Sequence, residues 1–257
     1  MSARRRVFET AESTTSPGCR VNGRRSPRTA GLAAVALAAT AIAAWTAHTT
    51  VLTGLDSTLF HAVNTLPDDL FRPLWLLQLS GVLGAPALVA IVALLLGRYR
   101  LASGLVLLIP AKLILERDVL KALVHRPRPA VTMSDPVLRD VPTAGLSFPS
   151  GHAVILFGTA TLLAPYLSRA ARTAVFVFAS LAATARVYLG AHAPLDVIGG
   201  AAAGVLLGAT LTLVVGVSEH RTASSGAHRL GFPSRTIHVS RFPRPTRSSS
   251  HPRSTKR

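Results

Sequence analysis

The sequence predicts an all-α polytopic membrane protein, a six-helix transmembrane bundle with disordered basic tails. Three observations lead there. The 257 residues are 49% hydrophobic and 15% charged, against about 25% charged in soluble domains, and mean hydropathy is +0.41. Six segments approach the roughly 20 apolar residues that cross a hydrocarbon core. The charge, finally, is concentrated at the two ends.

Residues 1–28 hold seven Arg against two Glu, and residues 217–257 hold nine Lys or Arg against one Glu. The tails therefore carry thirteen of the seventeen net positive charges. They are rich in Ser, Thr, Pro and Arg and lack apolar periodicity, the composition of solvated segments. No interleaved aromatics suit them to nucleic acid, so anionic lipid headgroups are the expected partner and nucleic acid is not. The single Cys19 excludes a disulfide scaffold and a cysteine-built zinc site. The expected division is a basic tail over 1–28, a six-helix membrane domain over 29–217 and a second basic tail over 218–257.

The six candidate spans are Ala30 to Ala47, Leu74 to Leu96, Leu101 to Glu116, His152 to Leu167, Ala174 to Leu189 and Val197 to Val217. The first follows Arg24, Arg25 and Arg28 as a secretory signal would. Its apolar run is long for that role, and five more segments follow, so it reads as a retained helix. Arg98 and Arg100 lie after the second span, Arg169 and Arg172 after the fourth. With the tails, these put both termini on the cytoplasmic side. The loop over 117–151 breaks that rule, because Arg117, Lys121, Arg126, Arg128 and Arg139 fall on the expected outside. Cations kept against the orientation rule suggest chemistry.

Three motifs carry that chemistry. Lys121 and Arg128 are seven positions apart, about two helical turns, so a helix ending near His125 would aim both at one side. Pro127 and Pro129 stiffen the chain beyond it. A lysine beside a forked guanidinium suits a phosphate dianion. Arg126 also precedes a proline, which leaves open which arginine is the ligand. The plainer reading is a snorkelling basic cluster.

The second motif is Phe148-Pro149-Ser150-Gly151-His152. Ser150 is a natural N-cap and Gly151 admits close approach to backbone N–H groups. A helix start favours an oxyanion, and His152 there can donate a proton near neutral pH. The third joins Arg186, His192 and Asp196 around Gly190 and Pro194. A carboxylate four residues on can accept from the imidazole, fix its tautomer and leave the other nitrogen nucleophilic. In the six-span map all three motifs fall at the external ends of spans three to six. Their cations and imidazoles can then share one pocket.

Lys-x6-Arg-Pro, Pro-Ser-Gly-His and Arg-x5-His-x3-Asp, in this order, resemble the signature of the type 2 phosphatidic-acid phosphatase superfamily, which includes bacterial undecaprenyl-diphosphate phosphatases. One departure is Ala185, where that signature often has Ser before the arginine. The resemblance implies a lipid phosphatase active at the extracytoplasmic face, hydrolysing a phosphate or diphosphate headgroup through a phosphohistidine. It implies His192 as nucleophile, Asp196 as its orienting carboxylate and His152 as acid and then base. Lys121, Arg128, Ser150, Gly151 and Arg186 would hold the phosphoryl oxygens. No metal or cofactor is implied; the implied partners are a phosphorylated lipid and the membrane, with no oligomeric state indicated.

Glu116, Asp118, Asp135 and Asp140 lack metal-like spacing and read as loop solubilisers or ion-pair partners. Lys112 reads as a snorkelling lysine, Pro110 as a kink, Trp45 and Trp75 as interfacial anchors, and His61 and His125 as loop residues. A carrier of anionic phospholipid or phosphate would use the same cations without hydrolysis. A scaffold would leave His152, His192 and Asp196 idle.

Overall fold

The structure, a computed structural model, describes residues 26–216. Cys19 and the expectations for most of both tails fall outside the described residues. The regular structure among those residues is helical, with no strand, one isolated bridge from Pro127 to Leu146, and a long non-helical stretch over 133–150. In chain order the helices are α1 Pro27–Thr49, α2 Thr53–Asn64, α3 Phe71–Gln78, α4 Ala85–Leu95, α5 Tyr99–Leu113, α6 Ala122–Val124, α7 Pro129–Thr132, α8 Gly151–Leu163, α9 Arg169–Tyr188 and α10 Pro194–Val215.

The long helices turn small residues inward and large ones outward, as helices packed in lipid do. On α1, Ala36, Thr40, Ala43 and Ala47 form the buried stripe, while Val35, Leu37, Ile42 and Trp45 are exposed. Pro27 starts α1 at a position that needs no N–H partner. Three helices, α1, α9 and α10, are singly long and apolar enough to cross a membrane, and a bent pair would make a fourth.

Two of the expected spans differ in form. The segment Leu74 to Leu96 is broken, because Asp68–Gly81 and Ala85–Leu95 meet at a 63° bend. Gly81 and Gly84 border that break, where glycine weakens helix propagation. The segment from Leu101 runs past Glu116: α5 passes into π-helical turns over Ile114–Lys121 and then α6, ending at Val124 with His125 in the left-handed region. Pro110, whose ring removes one ladder bond, lies one turn before this widening. Lys121 therefore sits on the helix and not in a loop.

The centre of the bundle is the contact of α10 with α8. Gly200, Gly204 and Gly208 recur every four residues along α10 and face α8. A Cβ at Gly204 would lie 2.5 Å from the Val154 carbonyl, and one at Gly208 2.6 Å from the Thr161 Cβ. Only hydrogen fits, so the two backbones touch. Leu105, Leu108, Leu162 and Leu211 fill the space beside them.

All three motifs lie at one end of this bundle. The C-terminal end of α1 reaches the same end, since Thr46, Ala47 and Thr50 line a small cavity with Arg126 and Leu195. The beginning of α1 and the end of α10 are at the opposite end, where an Arg100 guanidinium N–H donates to the Gly216 carbonyl at 2.6 Å.

Candidate active site

Gly190, at φ +81, lets the chain turn sharply from α9 into α10, and a Cβ there would meet the Val137 carbonyl at 2.6 Å. The turn is tied by the N–H groups of Ala191 and His192, which donate to the Arg186 carbonyl at 3.0 and 3.3 Å. His192 is thereby buried at the mouth of α10, and Asp196 is fully buried one turn on. Asp196 serves the helix start as well: its Oδ2 accepts the Ala193 N–H at 2.8 Å, and its backbone carbonyl accepts the Ser150 N–H at 2.9 Å. One residue thus joins the second and third motifs.

Asp196 and His192 are not joined as directly as the spacing suggests. Oδ2 stands 3.7 Å from Nδ1, beyond a hydrogen bond. Ser147 lies between them, its Oγ donating to Asp196 and standing 3.3 Å from Nδ1. A hydroxyl has one proton, so Oγ must accept from an Nδ1–H. That tautomer leaves the Nε2 lone pair free. Burial, the largest influence, holds the His192 imidazole below the ordinary histidine range in spite of the upward pull of Asp196. The ring is therefore neutral near pH 7.

The cations divide into those already engaged and those with donors to spare. Arg126 is consumed by Asp56 and by Asp196 Oδ1, the latter at 2.9 Å. Arg128 donates through Nε to the Ala144 carbonyl at 2.9 Å and through one amino group to that of Ala191, also at 2.9 Å. Its other amino group has no partner among the described residues, beside the residue that precedes His192. This distinguishes the two arginines. Arg186, buried on α9, holds Gln78 with one amino group, while its Nε has no partner. The Ser150 hydroxyl is likewise buried without one. Orphaned buried donors are rare in folded proteins; among the described residues there are three, Thr159 Oγ1 within α8 and these two on residues of the motifs. An oxyanion would satisfy both.

His152 begins α8, and the charges of Arg186, Lys112 and Arg128 bear on its ring. Against its other side stands Gly81, where a Cβ would come within 2.9 Å of the imidazole Cδ2. Lys121 is held by Glu116 Oε1 at 2.6 Å, and Lys112 by Oε2 at 2.5 Å. The buried Glu116 carboxylate in turn lies against Gly151, whose Cβ would meet it at 2.6 Å. Lys112 does not snorkel outward; its side chain is 12% exposed and turned to this carboxylate.

Ser147, Gln78, Gly81, Lys112, Asp56 and the arginine assignment are what motif reading misses, whereas Glu116 is an ion-pair partner, one of the two roles expected for it. Gln78 and Gly81 carry no signal inside an apolar segment until its break turns them inward. Glu116 carried one: a carboxylate four residues after a lysine within an apolar run favours an ion pair. Arg139 is structural, donating to Asp68, Leu66, Asn64 and Tyr188 and stacking 4.2 Å over the Tyr188 ring.

Residues 99–219, which contain all three motifs, match the family model described as the PAP2 superfamily. The crystal structure of the first transmembrane PAP2 type phosphatidylglycerolphosphate phosphatase from Bacillus subtilis is similar over 70% of this chain and 94% of its own. Identity there is 24% and the TM-score 0.56, which shows a shared fold. Aquifex aeolicus LpxE is similar over 60% of this chain and 92% of its own, with 24% identity and a TM-score of 0.48. No curated protein matches. The segment 26–98, with Asp56, Gln78 and Gly81, precedes the matched region.

Proposed function

We propose, from the match of residues 99–219 to the PAP2 superfamily model, that this protein is an integral-membrane lipid phosphatase hydrolysing a phosphate or diphosphate headgroup through a phosphohistidine. The observation that carries the reading is the pair of orphaned buried donors, Ser150 Oγ and Arg186 Nε, on motif residues beside a histidine whose Nε2 is free.

In the reaction His192 Nε2 attacks phosphorus, forming the N–P bond as the bond to the leaving oxygen breaks. His152 gives its proton to that oxygen. Ser147 and Asp196 hold the Nδ1 proton and offset the charge that develops on the ring. Arg128, Arg186, Lys121, Ser150 and the α8 amide of Gly151 bind the phosphoryl oxygens in the transition state. Water, giving its proton to His152, then cleaves the N–P bond and releases phosphate. The site takes its positive charge from side chains, so the reaction is proposed to proceed without a metal.

The six apolar segments are proposed as six crossings, with α3 and α4 sharing one. Arg98 precedes α5, Arg100 lies in its first turn, and Arg169 and Arg172 lie in the first turn of α9, at the end opposite the site, which supports cytoplasmic termini and an extracytoplasmic site. The membrane domain is proposed to run over 29–217. A carrier is less well supported, because transport uses neither the Ser147–Asp196 relay nor a free Nε2.

The test is phosphate release from purified protein in detergent with EDTA, over a panel of lipid monophosphates and diphosphates. The expected result is release by the native protein, none by His192→Ala, and an acid-labile phosphoprotein trapped at early times. Equal, background-level release by both proteins overturns the proposal.

A further inference from the structure

The helix α2 precedes the region that matches the superfamily, yet it reaches into the site. Asp56, Phe60 and Asn64 are spaced by four, share one face and are all buried. The Asn64 amide donates to the Val137 and Tyr188 carbonyls at 2.8 and 2.9 Å and accepts from the Val137 N–H at 2.8 Å. His61 Nε2 lies 2.7 Å from the Ser134 carbonyl. Asp56 goes furthest. Its Oδ1 accepts the Leu195 N–H at 2.8 Å, and its Oδ2 accepts from Arg126. An unbroken chain therefore runs Asp56, Arg126, Asp196, Ser147, His192.

The charges explain the chain. Asp196 has to offset the positive charge that His192 gains on attack. A buried guanidinium facing Asp196 alone would cancel much of that carboxylate. Asp56, its side chain 3% exposed, competes for the same guanidinium. Arg126 is thus shared between two carboxylates, one on α2 and one on α10, and the three groups together keep one negative charge.

We propose that Asp56 is a positioning residue of the reaction: from α2 it holds Arg126 so that the guanidinium orients Asp196 without cancelling its charge toward His192. This rests on the phosphatase reading above. The groups facing His192 are Asp196 of α10, Ser147 of the segment before α8, His152 of α8, Arg186 of α9 and Arg128 of the segment after α6. None of them replaces the Asp56 carboxylate.

Asp56→Asn keeps an oxygen for the Leu195 N–H but puts an amide NH2 where Oδ2 accepts from Arg126, so it removes the charge and that hydrogen bond together. Its kcat is expected to fall, toward about a hundredfold, the scale of a displaced catalytic group, with KM little changed. The acid limb of kcat/KM is expected to move to lower pH, because Asp196, now facing the whole Arg126 charge, holds the imidazolium less well. Asp56→Glu restores part of the rate, and Asp69→Asn, an exposed control, restores nothing and costs nothing. Native kcat and an unmoved acid limb in Asp56→Asn overturn the inference. Should Asp56→Asn not fold, Asp56→Glu takes its place: reduced kcat with unchanged KM and melting temperature supports the inference, and native kcat overturns it. If the native protein releases no phosphate from any lipid, it is the phosphatase reading that fails. The inference is then decided by NMR of ring-labelled histidine: a lower His192 midpoint in the folded variant supports it, and an unchanged one overturns it.

Discussion

His192 is a nucleophile only in one tautomer, and Ser147 is the residue that selects it. Its single hydroxyl proton goes to Asp196, so its oxygen faces Nδ1 as an acceptor. Ser147→Ala leaves Asp196 and His192 3.7 Å apart with nothing between them. Its kcat is expected to fall by about 10–100-fold with KM little changed, as loss of an orienting hydrogen bond implies. The same site fixes a pH dependence. Burial depresses the His192 pKa, so the neutral ring persists below the ordinary value of 6.5 and is lost only as pH falls through the lowered one. The acid limb of kcat/KM should accordingly lie below pH 6.5; a limb above it would contradict the burial. Motif spacing could pair His192 with Asp196 but could not place Ser147, which comes from a separate stretch 45 residues away.

At the scale of elements, the broken span deserves the most weight. A continuous helix over Leu74 to Leu96 would keep Gln78 and Gly81 within a straight apolar rod. The 63° bend brings Gln78 to Arg186 and Gly81 to His152. Gly81→Leu places a branched side chain where only hydrogen fits beside the imidazole. It is expected to reduce phosphate release more than tenfold while the melting temperature falls little, since the displaced group is one partly buried ring at the rim. Equal loss of both would make Gly81 a packing residue only. Positions and types of most helices were legible, because apolar segments of membrane length and their bordering Arg, Gly and Pro are local signals. The bend and the π-helical turns were not, since both depend on what the neighbouring helices demand. The same holds for Lys112, which reads as a snorkelling residue until α8 is placed beside it.

For the whole molecule, the second and third motifs meet because α8, α9 and α10 bring their ends together, the first reaching them from the end of the α5–α6 rod, and the glycines of α10 make the α8–α10 contact possible. Gly204→Val would drive a Cβ to 2.5 Å from the Val154 carbonyl. The expected result is a loss of about 1–3 kcal/mol or more, read as a lower melting temperature in detergent. An unchanged value would mean that α8 and α10 part without cost. This contact was hidden in the sequence, where four-residue glycine spacing in an apolar segment names no partner. Its reach extends to the pocket. The α8–α10 contact sets backbone close against backbone along its glycines, whereas α3 and α4, which bring Gln78 to Arg186 and Gly81 to His152, meet at a bend. A headgroup that needs room at the motif end is expected to gain it by displacing the bent pair and not by parting α8 from α10.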